Sequence, residues 1–258
     1  MPTSLLPVIE RLFDDAGLFP PAAHSMADAL VLHHQSRTGP YGSLVGPFLC
    51  PAARLDELDA CVAGGSPRPP ELGVVFGGEP RWGRVTMRPG TVQVEAPIGV
   101  ALPKDAERLL HYAELPARGD VEIAVEAVAR AQARVKVRCG GLTADAVPSS
   151  HRLAEVLHAC ARRRLPLKAT AGLHHPFRET AATGGREQHG FLNLLAAASA
   201  AVAGDDVDGL VELLDLQSAD ADRLLMRLDR TSRSLVASIG TCSIDEAVED
   251  LKAFGLLT

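Results

Sequence analysis

The sequence has no CxxC pair, few lysines, no excess of positive charge and no uncharged apolar run of transmembrane length. Five scattered cysteines, Cys50, Cys61, Cys139, Cys160 and Cys242, read as reduced thiols of a cytoplasmic protein rather than a disulfide framework. A formal net charge of −6 leaves no basic field for nucleic acid or an anionic membrane. The stretch Ser4 to Phe19 carries Glu10, Arg11, Asp14 and Asp15 among its apolar residues, unlike a signal peptide, and Phe191 to Gly204 is too short to span a bilayer. GxGxxG, GxxxxGK[ST], HxH and HExxH are also absent, so no nucleotide loop is indicated and neither a cofactor nor a metal is assigned.

What remains is a chain of 258 residues, 47% hydrophobic and 22% charged, enough to bury one large core. Only four of its 26 basic residues are lysine: Lys104, Lys136, Lys168 and Lys252. Arginine supplies positive charge elsewhere, so a lysine within an apolar stretch points to something arginine cannot do. A lysine can lose its proton and attack a carbonyl as a free amine.

The hydrophobic pattern predicts a helical preface over residues 1–40, with helices at Leu5 to Leu18 and from Ser25 to His34. Strands are then expected at 43–49, 72–76, 91–96, 121–125, 135–139, 167–171 and 235–239. Helices are expected at 54–62, 104–115, 149–164, 191–202 and 245–254, with a mostly helical segment at 207–230. Strand–helix units of roughly 25–35 residues mark a parallel α/β sheet. Seven or eight such units favour a closed TIM-like (β/α) barrel, with an open doubly wound sheet as the alternative. The only linker-like stretch, Gly64 to Pro70, is short, so residues 1–258 read as one domain.

Four expected strands carry ionisable residues on one parity and aliphatics on the other: Gln93 and Glu95, Glu122 and Glu126, Lys136 and Arg138, Lys168 and Thr170. An antiparallel sheet with one wet face would also show this, but strands separated by helices argue for a barrel with a polar mouth. There, Glu95 and Glu122 would face Lys136, Arg138 and Lys168. Lys136 and Lys168, each followed closely by glycine (Gly140 and Gly141, Gly172), are the sharpest residues. Neighbouring cations and burial would both lower a lysine pKa, making one a neutral amine; the alternative is a pair of fixed cations holding a carboxylate or phosphate.

His174 and His175 fall in the loop after the Lys168 strand, and His189 follows; they read as acid–base or binding groups, with metal ligation a lesser option. The last strand ends in Gly240-Thr241-Cys242-Ser243 and runs into a helix, where hydroxyls and backbone N–H groups suit an anion.

Val135-Lys136-Val137, followed one unit later by Leu167-Lys168-Ala169-Thr170-Ala171-Gly172, resembles deoxyribose-phosphate aldolase and related class I aldolases. The closing Gly240 to Ser243 turn is similar to that family's late turn. The resemblance implies a metal-free barrel acting on phosphorylated aldehydes, with Lys168 as the Schiff-base lysine, Lys136 in place of the family's second lysine, and Glu95 or Glu122 in place of its aspartate.

The expectation is therefore a lyase or aldolase-like enzyme for a small-molecule carbonyl substrate, with a homo-oligomer left open. Lys168, Lys136, Glu95, Glu122, His174 and His175 would act in catalysis. Arg138, Gly140, Gly141, Thr170, His189, Gly240, Thr241 and Ser243 would bind substrate. The alternatives are an isomerase or epimerase using the same groups without a covalent step, and a non-catalytic barrel with a structural ion-pair cluster.

Overall fold

Alternating aliphatic and charged residues, as in Arg134-Val135-Lys136-Val137-Arg138, suit a strand covered by helices on one face and closed onto an interior on the other. The structure, a computed structural model, describes residues 5–78, 80–141, 146–180 and 187–257. In it, eight such strands close into a parallel barrel of TIM type. They are β1 (Phe13–Asp15), β2 (Val45–Pro51), β3 (Leu72–Val75), β4 (Thr91–Pro97), β5 (Leu110–Glu114), β6 (Arg134–Arg138) and β7 (Leu167–Thr170). A two-stranded antiparallel hairpin, β8 (Glu179–Thr180) with β9 (Glu187–Gln188), precedes the last barrel strand, β10 (Val236–Thr241). Each barrel strand pairs with the next in chain order, and β10 closes the ring between β7 and β1.

Outward side chains such as Val135, Val137, Leu167 and Ala169 pack with Leu153, Val156 and Leu157 of helix Ser150–Arg163 in one buried cluster. Helix Phe191–Ala203 is buried from Phe191 through Ala201, as its apolar circumference requires. Serines cap three of the helices: Ser25, Ser149 and Ser243 each accept a backbone N–H from three residues on. Among the described residues no helix is long and apolar enough to cross a membrane.

Three segments differ from the sequence reading. The helical preface is interrupted at Ile9, and Phe13–Asp15 becomes the first barrel strand. The expected helix at 104–115 is a single 3-10 turn, Lys104–Ala106, followed by β5. Val121–Arg130 is a helix instead of a strand: Asp120 caps Ile123 N–H, and Val121, Ala124, Val125 and Val128 form its buried stripe. Ile123, expected to pack with the valines against the surrounding helices, is 71% exposed. The run V-E-I-A-V-E fits both periods, and the cap and the longer stripe decide for helix.

Candidate functional site

The inward parity of β4, β6 and β7 holds. Gln93, Glu95, Lys136 and Lys168 are all buried, and Lys136 and Lys168 stand side by side in register on β6 and β7. Gly73 of β3 leaves space for this lining, since a Cβ there would sit 2.9 Å from Gln93 Nε2. Lys168 Nζ donates to Asp14 Oδ2 and to Glu95 Oε1, each at 2.5 Å. Glu95 uses its other oxygen on Lys136 Nζ at 2.8 Å, and Lys136 also reaches Glu114 Oε2 at 2.8 Å. Arg138 lies 3.8 Å from Glu114. The chain Asp14–Lys168–Glu95–Lys136–Glu114–Arg138 thus alternates in charge throughout.

Exposure rises along it. The side chain of Lys168 is 0% exposed, Glu95 1%, Lys136 8%, Glu114 30% and Arg138 54%. The chain therefore runs from a sealed interior to the mouth at the strands' C-terminal ends. Lys136 is the amine nearest that mouth.

The expectation that one lysine lowers the other's pKa is overturned. Burial pulls both down, but carboxylates outweigh it: Asp14 and Glu95 hold Lys168 above its ordinary value, and Glu95 and Glu114 do the same for Lys136. Burial likewise pushes Glu95 up, yet the two ammonium groups bring it to about 2. At rest both lysines are ammonium ions.

The glycines shape the rim. A Cβ on Gly140 would meet Gly172 Cα at 2.7 Å, and Gly172, at φ 69°, lies so close to Cys139 that its own Cβ would meet that carbonyl at 2.8 Å. The loops after β6 and β7 therefore touch through backbone. Gly141 borders Arg138, and Thr170 and Gly240 face each other in the interior beside Lys168.

Other expected residues have different surroundings. Glu122 lies on the outer face of its helix, paired with Arg163 at 2.7 Å, and contributes nothing to the mouth. His175 is held between Asp250 (2.6 Å) and Glu179 (2.8 Å). His189 Nε2 donates to Pro148 O at 2.8 Å while its Nδ1 faces Arg178, an arrangement that pins the loop. His174 meets Glu246 at 3.3 Å and Cys242 Sγ at 3.9 Å; burial lowers the pKa of the imidazole and raises that of the thiol. His174 and His175 dock the β7 loop onto helix Ile244–Ala253 and, among the described residues, bond to no lysine. In the final turn, Ser243 Oγ caps Glu246 N–H and Thr241 Oγ1 bonds Ser243 O, so both hydroxyls serve the helix start.

Asp14, Glu114 and Tyr112 escape sequence reasoning because all three lie inside segments expected to be helical. The Tyr112–Glu114 spacing, matching Gln93–Glu95, is the signal that could have found two of them. No protein-family model matches this chain, and no curated protein matches it in sequence.

Proposed function

We propose that the protein is an enzyme acting on a small carbonyl compound at the C-terminal mouth, with Lys136 as the reacting amine. One observation carries this reading: Lys136 lies where the sealed interior meets the mouth, with a carboxylate oxygen 2.8 Å away on either side. Lys168, given the nucleophile's role by sequence alone, has no exposed surface for a carbonyl to approach. It becomes the positioning cation that keeps Glu95 ionised and oriented.

Glu114, the more exposed of the two carboxylates, takes the ammonium proton. The freed amine nitrogen adds to the carbonyl carbon, and the oxygen of the resulting carbinolamine leaves as water with a proton returned by Glu114. The cationic iminium then accepts the electron pair of an adjacent C–C or C–H bond, which is lyase or aldolase-like chemistry. Arg138 supplies a guanidinium for a phosphate or carboxylate on the substrate.

A second reading has support in the charge state. Both lysines rest as ammonium ions, which suits an isomerase or epimerase moving protons through Lys136 and Glu114 with no covalent step. Borohydride reduction with a pool of small aldehydes, keto acids and sugar phosphates, read by intact mass and peptide mapping, separates the two. An adduct on Lys136, lost in Lys136→Arg, is expected. An adduct on Lys168 would reverse the lysine roles, and unchanged mass with solvent-deuterium uptake into a substrate would favour the isomerase.

A further inference from the structure

A cavity of about 620 Å³ opens at the opposite end of the barrel, where the strands begin. Its volume is in the range of small-molecule sites, yet it lies at the end where barrels ordinarily show only structural packing. Four guanidiniums line it: Arg11, Arg134, Arg230 and Arg233. Arg11 is paired with Glu71. The other three have no carboxylate partner among the described residues. Arg233 bonds only backbone carbonyls, Val236 O at 3.1 Å and Glu10 O at 3.3 Å. Arg134 lies over the Tyr112 ring, 5.9 Å from its centroid. Arg230, exposed at the rim, makes no side-chain hydrogen bond or ion pair among the described residues. Among the described residues Glu10 is the one lining carboxylate without an ion pair, against three such guanidiniums, so positive charge is in excess.

The inner wall adds a different chemistry. Asp14, Gln93, Ser238 and Tyr112 line it, and Asp14 is 1% exposed. Its Oδ2 accepts from Lys168, Gln93 and Ser238, whereas its Oδ1 has no hydrogen-bond partner. That oxygen is closed off from solvent and lies against β2, where a Cβ on Gly46 would collide with it. The neighbouring wall, with Pro47, Val92 and Leu110, is apolar.

We infer that this N-terminal cavity is a second ligand site, for a small phosphate ester: its phosphate on Arg134, Arg230 and Arg233, its organic part against the wall of Pro47, Val92 and Leu110. Guanidinium forks match phosphate oxygens, and an unpaired cluster of them around a half-closed cavity has no structural partner to satisfy. The site stands independently of the lysine chemistry at the mouth.

Isothermal titration calorimetry on the full chain tests it, with glycerol 3-phosphate, inorganic phosphate and malonate as probes. The Arg138→Ala background removes the mouth's guanidinium from the comparison. Glycerol 3-phosphate is expected to bind there with a Kd of about 1 mM or tighter, more tightly than either other probe. Adding Arg134→Ala and Arg230→Ala, which break no ion pair, should weaken it by about tenfold or more while the far-UV circular dichroism spectrum stays that of the folded barrel. Absence of binding, equal affinity for all three probes, or affinity indifferent to the two arginines would each overturn the inference. The borohydride experiment reads a different end of the barrel, so either result stands without the other.

Discussion

Lys168 of β7 and Asp14 of β1 are 154 positions apart in sequence and 2.5 Å apart in the barrel, joined across β10 by an ion pair with no exposed surface on the lysine. Neither charge would be tolerable alone. Desolvating one ion costs several kcal/mol, and only a partner with good geometry and further hydrogen bonds offsets it. Asp14 has such bonds from Gln93 and Ser238, and Lys168 has Glu95 as a second partner.

Removing the lysine should therefore hurt stability more than removing a comparable apolar side chain. Lys168→Met leaves two buried carboxylates facing each other, and a loss of about 3–5 kcal/mol is expected in urea denaturation. Adding Asp14→Asn to that variant should restore part of the loss. A single variant within about 1 kcal/mol of wild type would show that the pair contributes little.

Glu95 sets an acid limb. Its pKa is held at about 2 against an ordinary 4.5, so it contributes stability that is present above 4.5 and lost as pH falls towards about 2. Urea midpoints of wild type should drop through that window, and those of Glu95→Gln should drop less, from a lower starting stability. Parallel curves for the two proteins would contradict this. The lysines act at the other end: with raised pKa values, the stability they contribute is complete below 10.5 and disappears as pH rises beyond it.

Gly140 and Gly172 make a backbone contact that leaves no room for a methyl group. Gly140→Ala should cost about 1–3 kcal/mol through overpacking, seen as a lowered Tm, because backbone rather than a flexible side chain must yield. Gly77→Ala, whose Cβ would meet nothing within 4 Å, serves as the comparison. Gly140→Ala should be the more destabilised of the two.

Glu122→Ala should be nearly silent. Its partners Arg162 and Arg163 lie on a helix exterior, and exposed ion pairs contribute about 0–1 kcal/mol. Borohydride adduct formation should match wild type in this variant. A large loss of trapping would return Glu122 to the site from which its helix removes it.

The sequence carried the barrel and much of its lining. On β4, β6 and β7 the alternation Gln93–Glu95, Lys136–Arg138 and Lys168–Thr170 is local information, because strand geometry sends every second side chain to one face whatever the rest of the chain does. The same locality misled at Val121–Glu126. There the alternation also fits a helix, and what separates the two is Asp120 as a cap together with Val128 one turn further on.

Asp14 was out of reach for another reason. Nothing within a few residues of Asp14 distinguishes a helix-surface aspartate from the buried partner of a lysine 154 positions later. Sequence alone determined that strands and helices alternate and that lysines 136 and 168 share the inner face. Only closure of the barrel decided their chemistry: it brought Asp14, Glu95 and Glu114 onto them and made both ammonium ions, where one neutral amine or two fixed cations had been open. Pairing of buried charges depends on distance in space, and that is set when β10 seats between β7 and β1.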